Sequence, residues 1–291
     1  MLARVRRYHS LVNDIDFSAA TYNILADAYV RPDRYRNCLP EALEPRRRRA
    51  LLLDRIAALD VDLLLLQEVE PAAHQAIAQR LEGHVGVYAQ RQGRPDGASI
   101  FVRRARMSLD RHEILHYRAH ASGDDQLALL GHLRVGERRL LVASTHLQWC
   151  PDSTPSDQHV GRAQLIELLD HVQAHGADAS WILAGDLNAT SNSCVLAAAS
   201  ERGLLLSARA QRPWDTCNAN ARPRKLDYLL IQAGGGLEPY PGTLPKLGRD
   251  TALPSLDEPS DHLALRVDYR FAGSFGQVPN TQSQTGVDTP K

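Results

Sequence analysis

The strand-like apolar segments of this chain end, again and again, in acids, amides or histidines. Asn23 closes the segment that begins at Phe17, and Gln67 and Glu68 close the run Leu63–Leu66. Thr145 and His146 close another, and Asp186 and Asn188 a fourth. Asp227 opens LDYLLIQ, and Asp261 with His262 opens HLALRVDYR. Taken singly, each has an ordinary explanation: a Glu at a strand end is solvated, and a lone His is structural. Buried together, ionised groups are costly unless they are paired or bind a cation. As a set they supply hard oxygen donors and two imidazoles. Mg²⁺ takes oxygen ligands in octahedral geometry and keeps several waters. Phosphoester hydrolysis needs a cation on the phosphate, a placed water, and donors for the developing charge. These residues can provide all three. Zinc fits less well, because it favours His and Cys at regular spacing. Cys38, Cys150, Cys194 and Cys217 include no C-x-x-C pair and read as scattered reduced thiols.

The elements that must position these residues follow from periodicity. FSAATYNIL (17–25) and VDLLLLQEV (61–69) read as strands, the second as a buried one that delivers its polar end to a sheet edge. Residues 46–59 read as a helix with Leu52, Leu53, Ile56 and Leu59 on one face, and 72–82 as a short helix with Ala73, Ile77 and Leu81 in line. HVGVYAQ, SIFVRR, LALLGHLRV and RRLLVASTHL are strands, the last two a hairpin around Gly136. Residues 158–175 form an amphipathic helix with Leu165, Leu168, Leu169 and Val172 inward. WILAGDLN (181–188) is a strand, with Ser191 or Asn192 expected to cap the helix after it. Strands outnumber helices and often follow one another directly, which excludes a purely parallel βαβ sheet. Two packed sheets flanked by helices fit. A single domain is expected over residues 1–271, and the Gly, Pro, Ser, Thr and Gln-rich stretch 272–291 is expected to be a disordered tail.

Composition narrows the partners. Lys plus Arg and Asp plus Glu both count 34, so the net charge is zero. A dedicated polynucleotide binder carries a basic surplus, and any polyanion affinity here must be local. The N-terminus has basic residues but no apolar core of secretory length, and no segment has the length of a membrane span. A cytoplasmic location is expected, with no membrane association and no protein partner to infer.

In their order, TYNILAD (21–27), LLLLQEVE (63–70), DGASIFVRR (96–104), STHLQW (144–149), LAGDLN (183–188), KLDYLLI (225–231) and LPSLDEPSDHLAL (253–265) resemble the motifs of the endonuclease/exonuclease/phosphatase superfamily. GDLN, LDY and SDH behind QE make the resemblance specific. The LPS…PSDHL segment points to the branch of nocturnin and the carbon-catabolite-repressor deadenylases. The resemblance implies a four-layer α/β/β/α sandwich with two mainly antiparallel sheets packed face to face. It also implies a Mg²⁺ cofactor, with Mn²⁺ an alternative. Glu68 resembles the principal metal ligand, helped by Asn23, and Asp261 a residue near the metal. Asp186 and Asn188 resemble the pair that places the attacking water and contacts the phosphate. His262 resembles the catalytic histidine oriented by Asp227, and His146 the second histidine, which stabilises the transition state. A neighbouring carboxylate raises a histidine's pKa, so His262 can be either base or charged stabiliser.

The chain departs from the deadenylase pattern. Those enzymes place an aromatic side chain shortly before the LDY aspartate to stack on the terminal adenine. Here TCNANARPRK (216–225) has none between Trp214 and Asp227. Pro151 matches the other side of that base slot. Arg222 and Arg224 stand where the stacking group is missing and suit an extra phosphate, or else a solvated loop. Of Arg46 to Arg49, successive positions of a helix cannot face one way. Arg48 is the one expected to reach the site. The expected substrate is thus a nucleotide or short RNA 3′ end, hydrolysed at a phosphate ester. A small nucleotide of the NADP(H) or cyclic-phosphate kind is the alternative, and a non-catalytic binding module of the same fold a third reading.

Overall fold

The computed structural model describes residues 15–119, 125–176, 178–208, 215–241 and 251–273. Its strands are β1 (Phe17–Asn23), β2 (Leu63–Val69), β3 (His84–Gln90), β4 (Gly97–Arg103), β5 (Ser108–His116) and β6 (Leu127–Val135). There follow β7 (Arg138–His146), β8 (Ser180–Asp186), β9 (Leu204–Leu206), β10 (Asp227–Gln232), β11 (Leu237–Pro241) and β12 (Leu265–Phe271). The helices are α1 (Pro45–Leu59), α2 (Pro71–Arg80), α3 (Val160–His175) and α4 (Cys194–Glu201).

The strands form two six-stranded sheets, ordered β11-β12-β1-β2-β4-β3 and β5-β6-β7-β8-β10-β9. Each sheet has one parallel pair at its centre, β1 with β2 and β7 with β8, and antiparallel pairs elsewhere. Period-2 alternation sends one side of each strand to the shared interior and the other to a helix layer. Phe17, Leu63, Leu65 and Ile100 of the first sheet meet Leu129, Val142, Ile182 and Leu229 of the second in the central core. The alternate residues Ala20, Tyr22, Leu64 and Leu66 pack on Leu52 and Ile56 of α1 and Ile77 of α2. Leu130, Leu141, Leu183 and Leu230 pack on α3 and α4 through Leu165, Leu168, Leu169 and Val195. This is the expected α/β/β/α sandwich.

The differences from expectation have local causes. Helix α4 is capped by Ser193, whose side chain accepts from Leu196 N, and not by Ser191 or Asn192. β5 is an edge strand whose charged, largely exposed face gives no apolar alternation. β11, another edge strand, holds Pro239 and Pro241, which argue against a strand except at an edge. β12 starts at Leu265, so Asp261 and His262 lie on the loop before it. Of the stretch 272–291, residues 274–291 lie outside the described residues, and Ala272 and Gly273 form a turn. No helix among the described residues is long and apolar enough to cross a membrane.

Candidate active site

The site forms where the central parallel pairs of the two sheets end side by side. Asn23 pairs in register with Gln67, and Asp186 with both His146 and Asp227. Three direct bonds join the sheets here: Asn23 Nδ2 to Asp186 Oδ2 (3.1 Å), Gln67 Nε2 to Ser144 Oγ (3.0 Å) and Ser144 Oγ to Leu66 O (3.1 Å). The close approach of β8 to β7 depends on Gly185. Its φ is +149°, and a Cβ there would lie 1.8 Å from the Thr145 carbonyl oxygen. That is the physical content of the glycine in GDLN.

Glu68 sits on a β-bulge. The register of β2 against β4 shifts between Gln67 and Val69, and Glu68 has φ +55°. Bulges re-aim side chains and are enriched next to active sites. A non-glycine residue in the left-handed region carries backbone strain that the surroundings must hold. Here the bulge puts the Glu68 carboxylate between Asn23 Nδ2 (3.0 Å) and Ala26 N (3.2 Å), with His146 Nδ1 at 3.9 Å. Burial pushes its pKa up. The neighbouring His146 pulls it down, and the charge of Asp261 pushes it up again.

Asn23 meets the cluster through its amide nitrogen. Its Oδ1 is occupied by Leu25 N (3.0 Å), while its amide nitrogen donates to Glu68 and Asp186. It therefore holds the two carboxylates in place and offers them hydrogen bonds, and its oxygen points away. Asp186 receives Asn23 Nδ2 on Oδ2 and the Asn188 backbone N–H on Oδ1 (2.8 Å). Asn188 adopts φ +48°, which asparagine tolerates better than most residues. Its side-chain nitrogen donates both to Leu147 O (2.9 Å) and to His146 Nε2 (2.8 Å). The carbonyl fixes which end of the amide is nitrogen. His146 Nε2 is then the acceptor and Nδ1 carries the proton. That Nδ1 is buried without a hydrogen-bond partner among the described residues.

His262 is held from two sides. Its Nδ1 lies 2.8 Å from Asp227 Oδ2, and its Nε2 lies 3.5 Å from Asp186 Oδ2. Burial disfavours the imidazolium, but the charges of Asp227, Cys217 and Asp186 outweigh it and hold the pKa well above the ordinary 6.5. Asp227 is itself fully buried, and its backbone N–H is held by Thr216 Oγ1 (3.1 Å). Ser260 accepts His262 N (3.1 Å) and donates to Asn23 O (2.7 Å), tying the SDH loop to the end of β1.

Glu68, Asn23, Asp186, Asn188, His146, Asp227 and His262 thus form one connected cluster. Asp261 borders it and accepts Tyr35 Oη at 3.1 Å. Arg222 and Arg224 are exposed, on a hairpin whose base pairs Arg224 with Cys217, which in turn stands opposite His262. Among the described residues their guanidinium groups contact no site residue. Pro151 is exposed in the turn after β7, where its carbonyl accepts Thr154 N. Arg48, expected to reach the site, is buried, while Arg46, Arg47 and Arg49 are exposed. Its guanidinium donates to Leu25 O, Pro259 O and Asp27 Oδ1, so it braces the loops around the site and does not face the cluster. Thr216, Ser260 and Tyr35 belong to the site without being singled out by sequence reasoning. The serine of SDH is the available signal; Thr216 and Tyr35 lie in loops without periodicity.

The donor set fits a hard cation. Glu68 and Asp261 bring carboxylates together at the site, and the Glu68 carboxylate is bonded only by neutral N–H groups among the described residues. Asp186, Asp227 and His262 also each bring a ligand atom within 4.8 Å of one another.

Residues 20–262 match the Endonuclease/Exonuclease/phosphatase family, and the chain belongs to that family. It is similar to human nocturnin, with 28% identity over 284 residues covering 86% of this chain and 64% of that protein. The chain therefore spans somewhat under two thirds of this relative's length. Among solved structures, the human nocturnin catalytic domain with a bound sulfate anion superposes with a TM-score of 0.69 at 26% identity, covering 89% of this chain and 96% of that one. ANGEL2, a 2′,3′-cyclic phosphatase, in complex with adenosine-2′,3′-vanadate shares the fold with a TM-score of 0.75 at 22% identity, covering 89% and 97%.

Proposed function

We propose that this chain is a Mg²⁺-dependent phosphoesterase, with one catalytic domain over residues 1–271, acting on a phosphate ester of a nucleotide or of an RNA 3′ end. One observation carries the reading. Asp186 Oδ2 lies 3.5 Å from the Nε2 atoms of both His262 and His146, inside a cluster that also holds Glu68. Glu68 and Asp261 would hold the ion, which supplies charge neutralisation on the phosphate when bound. Asp186, fixed through both oxygens, takes the proton of the attacking water. His262, its Nδ1–H held by Asp227, turns Nε2 toward a phosphate oxygen and stabilises its growing negative charge. His146 offers its unpaired Nδ1–H to another. Family membership supports the reading, and the related nocturnin catalytic domain binds a sulfate anion.

A small nucleotide is favoured over a long RNA. Zero net charge gives no general affinity for a polyanion, and the stacking aromatic of the deadenylases is missing. The 2′,3′-cyclic phosphatase among the structural neighbours makes a cyclic phosphate a fitting test compound. The deciding experiment is hydrolysis of oligo(A), mixed RNA, single-stranded DNA, NADP(H) and 2′,3′-cyclic phosphates with Mg²⁺ or Mn²⁺ and with chelator. Turnover that chelator leaves intact removes the metal from the mechanism. No turnover on any compound by the metal-loaded protein favours the binding-module reading.

A further inference from the structure

The proposed mechanism leaves one soft donor beside His262 unused. Cys217 exchanges backbone bonds with Arg224 on one side, N to Arg224 O (2.9 Å) and O from Arg224 N (2.8 Å). On its other side it stands opposite His262 in an isolated antiparallel bridge. The flanking bonds run from Leu263 N to Thr216 O (2.7 Å) and from Asn218 N to Asp261 O (3.0 Å). Cys217 and His262 are therefore a non-hydrogen-bonded pair. In such pairs the Cα atoms stand about 4.5 Å apart and the side chains leave the same face close together. The sulfur is the imidazole's cross-strand neighbour.

A third donor joins them. One ligand atom each from Cys217, Asp261 and His262 lies within 4.8 Å of the other two. Asp261 is partly exposed, and its Oδ1 has no hydrogen-bond partner among the described residues. The Cys217 side chain, 2% exposed, likewise makes no hydrogen bond there. Zinc binds sulfur at about 2.3 Å and nitrogen or oxygen at about 2.0–2.2 Å, so small side-chain rotations bring this triad to tetrahedral spacing. Mg²⁺ has no use for a thiolate, whereas Zn²⁺ and Cd²⁺ are selected by one.

We propose that Cys217, Asp261 and His262 form a second metal site, for a thiophilic divalent ion of the Zn²⁺ or Cd²⁺ class. It shares Asp261 with the oxygen site at Glu68, differs from it by its sulfur and imidazole donors, and is inhibitory because it engages His262. Binding of the ion releases one proton from the thiol and one from the His262 imidazolium to solvent, and the imidazole then cannot turn to the phosphate. The inhibitory half rests on the phosphoesterase reading; the binding half rests on the side chains alone.

The test titrates the whole chain with Cd²⁺, without Mg²⁺ and without substrate, reading the ultraviolet thiolate-to-cadmium band and the stoichiometry. One ion per chain with a thiolate band is expected. Cys217→Ser and Cys217→Ala should both lose the band and bind Cd²⁺ roughly ten-fold or more weakly, with unchanged circular dichroism. Cys38→Ser, Cys150→Ser and Cys194→Ser should keep it. Zn²⁺ should inhibit wild-type hydrolysis, and Cys217→Ser should resist Zn²⁺ relative to its own rate without Zn²⁺. A band that survives in both Cys217 variants, or no band in wild type, overturns the site. Because the band is read without turnover, that failure is separate from a failure of the phosphoesterase reading.

Discussion

The Nδ1 atom of His262 lies 2.8 Å from Asp227 Oδ2, with the two side chains 6% and 0% exposed. In that pair burial favours the neutral imidazole and the Asp227 charge opposes it, so Asp227 is what keeps His262 charged. Asp227→Asn should lower the His262 pKa, read by NMR of the imidazole in chelator-treated protein. The linkage sign follows. A histidine raised in the folded state adds stability that is full below its unfolded value and is lost as pH rises through the folded one. Wild type should therefore lose melting temperature from about pH 6.5 upward more steeply than Asp227→Asn. Equal slopes would show that the pair does not share a proton. In turnover, His262→Ala and Asp227→Ala should be far from additive, because they act as one unit.

Glu68→Gln isolates the metal-site carboxylate. A carboxyl whose pKa burial has raised is stabilising only while protonated, and above its unfolded value the charge costs folding free energy. In chelator at neutral pH, the variant should melt no lower than wild type. Mg²⁺ at roughly a hundred-fold excess over Kd should add about 2–3 kcal/mol to wild type and nothing to the variant, whose hydrolysis should be lost. A Mg²⁺-dependent rise in melting temperature in Glu68→Gln would place the ion elsewhere.

How much of the molecule is legible in the sequence depends on the kind of information each residue carries. The buried strands are recoverable because Leu63–Leu66 or Trp181–Ala184 are apolar on both sides, and helices such as α3 because their stripe repeats at helical spacing. β5 and β11 are not, because an edge strand is defined by having no neighbour and shows charge or proline where a central strand shows leucine. Convergence of Asn23, Glu68, Asp186 and His262 is readable as a family pattern. The bulge that turns Glu68, the amide orientation that makes Asn23 a donor, and the pairing of Cys217 with His262 are not. These depend on register, and a one-residue slip reverses every side chain.

Asn188 sets the tautomer of His146, and that is separable from its contact with Asp186. Asn188→Ala removes the donor at Nε2 and should lower kcat by about 10²-fold with KM nearly unchanged, since a proton on Nε2 leaves Nδ1 unable to donate. The ¹⁵N shifts of His146 should move toward the other tautomer in step. A fall in kcat with the tautomer unmoved would assign the loss to water placement.

Arg48 is a different kind of residue from its three neighbours. Its side chain is 4% exposed and satisfies Leu25 O and Pro259 O, loops on either side of the site. Arg48→Met leaves those carbonyls unpaired and Asp27 with Arg49 alone, and should cost about 3 kcal/mol or more in urea unfolding. Arg46→Ala, at an exposed position, should stay within about 0.5 kcal/mol. A mild effect at Arg48 would mean that solvent replaces it, and that the loops do not depend on it.

Substitution of Arg222 and Arg224 tests whether the substrate carries a phosphate beyond the scissile one. They are exposed, on a hairpin anchored next to His262, and their guanidinium groups have no partner among the described residues. If a second phosphate sits there, it is held equally in ground and transition states. The double variant Arg222→Ala with Arg224→Ala should then raise KM with kcat unchanged. It should also flatten the dependence of log KM on log salt by about 0.7–0.9 for each phosphate charge left unneutralised. A substrate with one phosphate should show neither effect, which makes it the internal control. An unchanged KM on the best multiply phosphorylated substrate would reduce the hairpin to a solvated loop. The specificity would then have to come from other residues.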